Sequence, residues 1–480
     1  MPINSFLYPG AKVPPPAYEV ANSGMFASGD SAYLDHTHGA VTSTRKNTFS
    51  FWVKRGLLAA YQYIISTRNG TSTNRDGIAF NDSDQIDIRY NAGSSSPIRL
   101  TTTRVFRDCS AWLHVVVAVD TEQGTASNRI KLYINGVQET TFGTSDYMDE
   151  DYDFALNAKT DQTTDIGNDA RSDGAYFDGH LAEFVAIDGT QNAVTDFGEF
   201  DEDSPTIWKP KDVSGLTFGN AGFYLDFENS AELGTDQSGN SNTFSENNLA
   251  ATDQSLDSCT NSFATFNPVY KSANQPTYSN GNTTATSSGS GFRLSFSTIA
   301  VSTGKWYAEF KRGAGEMMIG ISSLNDAEKL YNATDYYLGE TAKSAGIAEN
   351  DGDYIINGSQ TGYGASYADG TTIGIALDLD NKKLYASKNG DWSNGSGSWA
   401  SSTFNSSTGA IDISSVIASG EYAYLGCSNT GTSTVSANFG SPYYSISSGN
   451  ADGNGYGNFE YAPPSGYLSL CTKNLGSDGG

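Results

Sequence analysis

Four aromatic side chains lie in loop-like segments and have the chemistry to bind sugars. Tyr152, Tyr176, Trp392 and Trp399 stand in or beside stretches rich in Gly, Ser, Asn and Asp. An aromatic ring offers a flat apolar face with a large contact area, and loops on a rigid scaffold are where binding residues concentrate. We therefore predict a carbohydrate- or partner-binding role for these four residues. The alternative is that they pack beneath their own loops.

Sequence patterns that would indicate catalysis or a transition-metal site are weaker than this aromatic pattern. His36-Thr-His38 would place two imidazoles on one face of a strand, which leaves a transition-metal site open as an alternative. His114 and His180 fall within predicted strands and are expected to be structural. No Ser-His-Asp or Cys-His arrangement can be recognised from sequence, because neighbours in space are not visible there. We predict that the protein is not an enzyme.

The four cysteines, Cys109, Cys259, Cys427 and Cys471, are far apart and form no Cys-x-x-Cys pair. A zinc site is therefore not indicated, and sparse cysteines in a long chain favour buried thiols over a disulfide framework. No cofactor is expected to be required, and calcium is the candidate cofactor.

Composition excludes several classes of partner. The 480 residues include 54 acidic and 28 basic side chains, for a net charge of −26. A nucleic-acid-binding protein would need a basic face, so that role is not expected. The acidic residues are spread out, which favours solubility, while cation binding or a salt-rich habitat are the sharper alternatives.

We also expect no targeting or membrane-spanning segment. No apolar run approaches the length needed to cross a membrane, so no membrane insertion is expected. The opening Met1–Pro9 has no basic region followed by a long apolar core, so we expect no secretory signal. Assembly into a virus particle in the host cytoplasm, with release by lysis, is one route outside a cell that needs no leader.

Two hairpins of the same design indicate how the chain folds. The first pairs His114–Asp120 with Arg129–Gly136, and the second pairs Ile373–Asp380 with Lys383–Gly390. Each is an apolar strand ending in Asp, then a Lys-Leu-Tyr strand closed by Asn-Gly. Asn-Gly is typical of a type I′ turn, in which both central residues have φ > 0.

The remaining pattern predicts an all-β protein. Short strands alternate with Gly/Asn/Ser turns, and no long segment has helical periodicity. We predict two antiparallel β-sandwiches of the jelly-roll type. The expected division is an extended Pro-rich arm (1–24), a first sandwich (25–190), a connector with a few strands (191–274), a second sandwich (275–475) and a short tail (476–480).

The first sandwich resembles the laminin-G-like, concanavalin A-like lectin/glucanase superfamily. The resemblance rests on five motifs in the right order, namely Phe49–Trp52, Trp112–Asp120, Lys131–Gly136, Ile166-Gly167 and Phe177–Phe184. It implies a jelly roll of two antiparallel sheets. Together with Tyr33-Leu34, the first motif is also similar to laminin-G-like proteins encoded by marine tailed bacteriophages.

This resemblance brings two further expectations. Such modules often bind calcium at the sandwich rim, and the candidate ligands here are Asp165, Asn168, Asp169 and Asp173, with plain Asx-rich turns as the alternative. The glucanases of the superfamily use Glu-x-Asp-x-x-Glu. The nearest match, Glu199–Ser204, ends in Ser rather than Glu, so glycosidase activity is not expected from it.

The second sandwich resembles the SPRY (B30.2) family. The motifs are Gly304–Phe310, Met318–Ile321, Thr372–Asp380, Lys383–Gly390 and Ser436–Gly440. The long Gly/Ser/Asn loop over 391–407 departs from the family in the region that forms its partner surface. The identity of a partner is therefore not implied.

These observations lead to one functional hypothesis with two alternatives. We expect a non-enzymatic structural protein of a tailed-bacteriophage virion, a tail-fibre or appendage adhesin that binds host surface polysaccharide and other virion proteins. A homo-oligomer is expected. The first alternative is a capsid-decorating or cement protein that binds coat protein, and the second is a polysaccharide depolymerase.

Overall fold

The protein is all-β in the parts described by the computed structural model, which are residues 18–68, 75–92, 98–269, 275–326 and 335–478. The predicted pair of antiparallel β-sandwiches is confirmed. Within the described residues, no helix is both long enough and apolar enough to cross a membrane. The helical elements with both ends described are α1 (Ala126–Arg129), α2 (Thr472–Asp478) and three 3₁₀ turns at Ser28–Asp30, Val194–Asp196 and Ala251–Asp253.

Two eight-stranded sheets form the first sandwich. Sheet 1 contains β1 (Ser23–Phe26), β3 (Lys46–Arg55), β8 (Leu113–Asp120), β9 (Ile130–Ile134), β10 (Val137–Glu139), β13 (Gly179–Asp188), β16 (Phe223–Leu225) and β18 (Gln254–Ser255). Its order is β10-β9-β8-β3-β13-β1-β18, with β16 paired to β13. Sheet 2 contains β2 (Tyr33–Thr37), β4 (Gln62–Arg68), β5 (Arg75–Phe80), β6 (Ile86–Ala92), β7 (Ile98–Thr102), β11 (Phe142–Asp146), β12 (Thr163–Ile166) and β17 (Ser245–Asn247). Its order is β11-β7-β6-β5-β4-β12-β2-β17.

The outer face of sheet 1 is covered by the chain that follows the sandwich. On β3, Phe51 and Val53 face the core between the sheets, while Trp52 faces the other way. Trp208, from the hairpin of β14 (Gly198–Phe200) and β15 (Trp208–Pro210), joins the same buried cluster as Trp52. Strands β8 and β13 are consequently buried on both faces along nearly their whole length.

The segment expected as a connector, 191–274, contributes strands to both sheets. Strands β16 and β18 pair with β13 and β1 in sheet 1, and β17 pairs with β2 in sheet 2. Phe223 and Phe244 are fully buried in the core of the first sandwich. The segment up to about residue 255 is therefore part of that sandwich, and 270–274 lie outside the described residues.

The predicted arm and tail fall largely on residues that the structure does not describe. Residues 1–17 of the arm and 479–480 of the tail lie outside the described part. The arm's described end packs on the first sandwich, where the Tyr18 hydroxyl donates to Glu183 Oε2 at 3.0 Å. The tail region belongs to helix α2, which begins at Thr472.

Both predicted hairpins are present with the predicted turns. β8 pairs with β9, and β26 (Thr372–Asp378) pairs with β27 (Lys383–Lys388). The turn residues Asn135 and Asn389 have φ of 47° and 49°, followed by Gly136 and Gly390 with φ of 79° and 84°, which fits type I′ turns. In both hairpins the Asn side chain also accepts a hydrogen bond from the backbone N–H that begins the first strand.

The second sandwich is built around two long strands that bend from one layer into the other. These are β22 (Lys305–Ser323) and β31 (Ala423–Asn438). The first half of β22 pairs with β26 and the second half with β23, with register shifts at Arg312–Glu316 between them. The other strands are β19 (Thr277–Ser279), β20 (Thr284–Ser287), β21 (Arg293–Phe296), β23 (Ser344–Ala348), β24 (Tyr354–Ile356), β25 (Ser359–Thr361), β28 (Asp391–Ser393), β29 (Trp399–Ser401), β30 (Ile411–Asp412) and β32 (Leu468–Ser469).

A buried ion pair joins the first sandwich to the segment that leads into the second. Lys54 Nζ on the outer face of sheet 1 lies 2.6 Å from Asp257 Oδ2, and both side chains are almost completely buried. Lys54 also donates to Ser262 Oγ and to the Phe263 carbonyl. Trp112 Nε1 donates to the other Asp257 oxygen at 2.9 Å. The hydrogen-bonding capacity of the ammonium is thus used completely.

We predict that Lys54→Met lowers the free energy of unfolding by about 3–5 kcal/mol, because it leaves a buried carboxylate without its cation. Lys46→Met is the matched control. Lys46 Nζ lies 2.7 Å from Glu122 in an exposed pair, so its loss should cost at most about 1 kcal/mol. Denaturant unfolding followed by tryptophan fluorescence measures both.

The double variant Lys54→Met/Asp257→Asn should recover part of the loss, since the asparagine is neutral and can still accept from Trp112. Equal losses for the Lys54 and Lys46 variants would show that the buried pair does not hold this junction.

Candidate functional site

Sheet 2 exposes polar side chains on its outer face, and this face is the candidate site. On β12, Ile166 points into the core and Asp165 points outward. Asp35 on β2 is the register partner of Asp165, so the two carboxyl groups lie side by side on the same face. The layer that covers sheet 1 does not extend over this region, where a pocket of about 480 Å³ opens to solvent.

The acidic pocket, as we name it, combines carboxylates with aromatic rings. Its lining residues are Tyr33, Asp35, Arg68, Asp161, Gln162, Thr163, Asp165, Ala170 and Asp173. Beside it the ring of Tyr176 packs against Tyr33, with centroids 6.2 Å apart. Asn247 Nδ2 donates to Asp35 Oδ1 at 2.5 Å and fixes that carboxylate. The pocket therefore presents oxygen acceptors next to aromatic surface.

Asp165 is the carboxyl group most affected by this arrangement. Burial, followed by the charges of Asp35 and Asp173, raises the pKa of Asp165 to about 7. Arg68 opposes the shift but does not cancel it. Near neutral pH, Asp165 therefore exists as both acid and carboxylate, and it can donate or accept a hydrogen bond.

Next to the acidic pocket the same face carries a second polar cluster centred on Asp87. This carboxylate accepts hydrogen bonds from Tyr61 Oη (2.8 Å), Arg89 Nε (2.6 Å), Arg99 Nε and Nη2 (2.8 and 3.2 Å) and Thr101 Oγ1 (2.7 Å). Burial alone would raise the pKa of Asp87, but the hydrogen bond from Arg99 and the charge of Arg89 outweigh it, and the pKa is lowered.

Aromatic rings accompany these arginines. Tyr61 and Tyr63 lie 5.3 Å apart between ring centroids. The Arg89 guanidinium lies 4.9 Å from the Tyr61 ring, and that of Arg75 lies 5.1 Å from the Tyr63 ring. Such stacking fixes both the rings and the charges.

The structure separates the four aromatic residues singled out in the sequence. Of the four, Tyr176 lies beside the acidic pocket, where its ring packs against Tyr33. Tyr152 packs against the core of the first sandwich. Trp392 is 7% exposed and contacts Phe404 at 4.9 Å between centroids. Trp399 donates from Nε1 to the Ala365 carbonyl at 2.6 Å. The indole of Trp392 is buried beneath its loop, whereas that of Trp399 is only partly buried.

The four candidate calcium ligands are divided between different environments. Asp165 and Asp173 line the acidic pocket. Asp169 is held by Arg75 at 3.5 Å, and the buried side-chain amide of Asn168 has no hydrogen-bond partner. Across the described ranges, no group of three or more His, Cys, Asp or Glu side chains is placed to hold a metal ion. Calcium binding stays a prediction.

His36 and His38 do lie on one face, with ring centroids 4.9 Å apart. His36 Nδ1 is 2.9 Å from the Thr243 carbonyl oxygen. His38 is buried beside Phe244, and burial lowers its pKa to about 3. The pair thus packs beneath β17 rather than facing the acidic pocket.

The acidic run 199–204 lies away from sheet 2. Glu199 is on β14, in the hairpin whose Trp208 packs on the outer face of sheet 1. Lys209 Nζ lies 3.6 Å from Glu199 and 3.4 Å from Asp201. This places the run on the opposite side of the sandwich from the acidic pocket, as a solvated, partly neutralised turn.

Sequence reasoning singled out Asp165, Asp173 and Tyr176, but it missed the other residues on which the site is built. Asp87 and Arg89 alternate with apolar residues along β6, but these charges were not interpreted as one face of a strand. That alternation was the available signal. Asp35 and Tyr33 join the site only through the pairing of β2 with β12, which a single sequence does not specify.

Comparison with known proteins supports the fold of the first sandwich. Residues 28–193 match the family model described as the concanavalin A-like lectin/glucanases superfamily, which confirms the predicted resemblance of this part of the chain. No curated protein is similar enough in sequence to count as a match.

Solved structures give more distant likenesses. The SPRY domain of human HERC1 is 16% identical, with 32% of this chain and 87% of that chain covered and a TM-score of 0.24. A "putative carbohydrate binding protein" from Bacteroides ovatus is 14% identical, with 48% of this chain and 59% of that chain covered and a TM-score of 0.31. Scores this low carry no argument about function.

We predict that Asp165→Asn raises the free energy of unfolding at pH 8.5 by about 1–3 kcal/mol. The folded-state pKa of Asp165 is raised, so its ionised form destabilises the fold above about pH 7. The destabilisation fades as pH falls toward the unfolded-state value near 4. When the pH is lowered from 8.5 to 5.5, the free energy of unfolding should therefore rise less for the variant than for the parent. Denaturant unfolding at the two pH values measures this difference. Asp391→Asn, at an exposed position of the second sandwich, is the control and should show no such difference.

Proposed function

We propose that the protein is a non-enzymatic carbohydrate-binding protein whose ligand lies on the outer face of sheet 2. The acidic pocket is the observation that carries this proposal. Carboxylates of Asp35 and Asp165 can accept hydrogen bonds from sugar hydroxyls, while Tyr33 and Tyr176 provide aromatic faces beside them. Concave sites with a few placed polar groups are the usual form of a ligand site.

The setting that we propose is the surface of a tailed-bacteriophage virion, with the protein acting as a tail-fibre or appendage adhesin for host polysaccharide. This step rests on the resemblance of Tyr33-Leu34 and Phe49–Trp52 to phage-encoded laminin-G-like proteins. In this setting its partners are other virion proteins and further copies of itself. A capsid-decorating role is the alternative setting.

Electron microscopy of purified particles with a gold-labelled antibody against this chain separates the two settings. Label at fibre or tail tips is the outcome expected for an adhesin. Label spread over the head would favour the capsid-decorating role. Particles without label would contradict both.

A second candidate function, polysaccharide hydrolysis, is favoured by one specific observation. Asp35 and Asp165 are direct cross-strand neighbours, and the pKa of Asp165 is raised to about 7. A carboxyl group that is partly protonated near neutral pH beside a second carboxylate is similar to the pairing that glycosidases use. Release of reducing ends from a bound polysaccharide, abolished by Asp165→Asn, would establish this activity in place of simple binding.

We predict that Tyr176→Ala weakens binding of the full chain to host polysaccharide by about two- to tenfold, the loss expected for one aromatic contact. Tyr422→Ala is the control, because Tyr422 is a 44% exposed tyrosine of the second sandwich. Affinity is measured by calorimetry with and without added calcium, which also tests the predicted cation. Equal affinities for the two variants and the parent would place the ligand away from the acidic pocket.

A further inference from the structure

Four arginines cross the outer face of sheet 2 on four adjacent strands. Arg68 on β4 is the register partner of Arg75 on β5, and Arg89 on β6 is the register partner of Arg99 on β7. Arg75 and Arg89 share the same face because Arg89 pairs with Gly77, two residues beyond Arg75 on β5. We call these four residues the arginine row.

This arrangement is unfavourable for the sheet by itself. Like charges placed directly opposite each other on neighbouring strands destabilise the pairing, and the row contains two such pairs. The row also belongs to a chain with a net charge of −26, in which clustered cations are not needed for solubility. The placement of arginine directly opposite arginine therefore requires another explanation.

Carboxylates of the same face balance the charge of the row without using all of its donors, since Arg68 lies among the carboxylates of the acidic pocket. Asp87 is one carboxylate shared by Arg89 and Arg99, and its five hydrogen bonds fill its accepting capacity. Asp169 lies 3.5 Å from Arg75. The guanidinium groups keep donors beyond these contacts, since each has five N–H groups.

The same partners hold the row in place. Arg89 and Arg99 are fixed by Asp87, and Arg75 Nε donates to Tyr63 Oη at 2.5 Å. Fixed guanidinium groups bind carboxylate and sulfate with less loss of entropy than free ones, and their planar donor geometry matches those anions. The rings of half-buried Tyr61 and buried Tyr63 pack among them and help to hold the guanidinium groups in place.

We propose that the polysaccharide bound on this face is anionic, with its carboxylate or sulfate groups over the arginine row. This inference rests on the proposed carbohydrate-binding function and names the class of ligand. Uncharged hydroxyl groups of the same polysaccharide lie over the acidic pocket, which adjoins the row at Arg68. Four strands span about 14 Å, enough for a short oligosaccharide rather than a single sugar.

The test compares three polymers by calorimetry with the full chain, namely polygalacturonate, dextran sulfate and neutral dextran. An anionic polymer should bind at least about tenfold more tightly than dextran. Its affinity should fall as salt rises from 50 to 500 mM, because charge attraction is screened. Preference for polygalacturonate assigns carboxylates and preference for dextran sulfate assigns sulfates, and either result supports the proposal.

Arg99→Gln should weaken binding of the preferred polymer about tenfold. Arg45→Gln removes the same charge from an exposed pair with Asp151 and Asp153 and should leave affinity unchanged. Arg99→Gln removes a cation from buried Asp87 and can therefore also lower the stability of the fold. Arg68→Gln is a second variant at an exposed position, and it should also weaken binding.

Three outcomes would overturn the inference. Equal binding of neutral and anionic polymers would overturn it while leaving carbohydrate binding intact. Equal loss for Arg45→Gln and the two row variants would show a general charge effect instead of a site. Binding of no polysaccharide by the folded parent chain would remove the proposed function and this inference together.

Discussion

The ion pair between Lys54 and Asp257 is the interaction on which the arrangement of the layers depends. It lies between sheet 1 and the segment that leads into the second sandwich, and both charges are almost fully buried. A buried charge is tolerated only when its partner and its hydrogen bonds are all in place. Lys54 meets this condition with Asp257, Ser262 and the Phe263 carbonyl. We expect the pair to favour this position of the crossing segment, because other positions would leave a buried charge without its partner.

That position determines which face of the first sandwich can bind a ligand. Once the crossing segment and the preceding hairpin cover sheet 1, its outer face becomes a second interior with Trp52 and Trp208 buried in it. Sheet 2 keeps its outer face toward solvent at the acidic pocket. The asymmetry explains why β3 is buried on both faces whereas charges alternate with apolar residues along β6 and β7.

The sequence was sufficient for the fold class and for the hairpins, since period-two alternation and Asn-Gly turns are local signals. The Asn135 and Asn389 turns have the predicted geometry. The site was harder to predict from the sequence, because it depends on pairing between strands that are distant along the chain. Asp35 meets Asp165 only through the register of β2 with β12. Trp392 illustrates the opposite difficulty, because a Gly/Ser/Asn-rich loop suggested exposure, while Phe404 from that same loop covers the indole.

Two carboxyl groups with the same raised pKa show how a structural role can be distinguished from a binding role. Burial raises the pKa of both Glu309 and Asp165 to about 7. Glu309 accepts from Tyr307 Oη, Asn438 Nδ2 and the N–H groups of Glu460 and Tyr461, so its oxygens are used within the fold. It anchors the loop that closes the second sandwich.

Asp165 is in the opposite situation. Its pKa is raised further by other carboxylates, Asp35 and Asp173, and it lines an open pocket instead of anchoring a loop. Placing like charges together costs stability without any gain in packing. The arginine row on the same face has the same character, since its cross-strand pairs also oppose folding. Like-charge pairs of both signs thus adjoin on this face, and the attraction of Arg68 for Asp165 offsets only part of their cost. A ligand with hydroxyl groups for one cluster and anions for the other would relieve both.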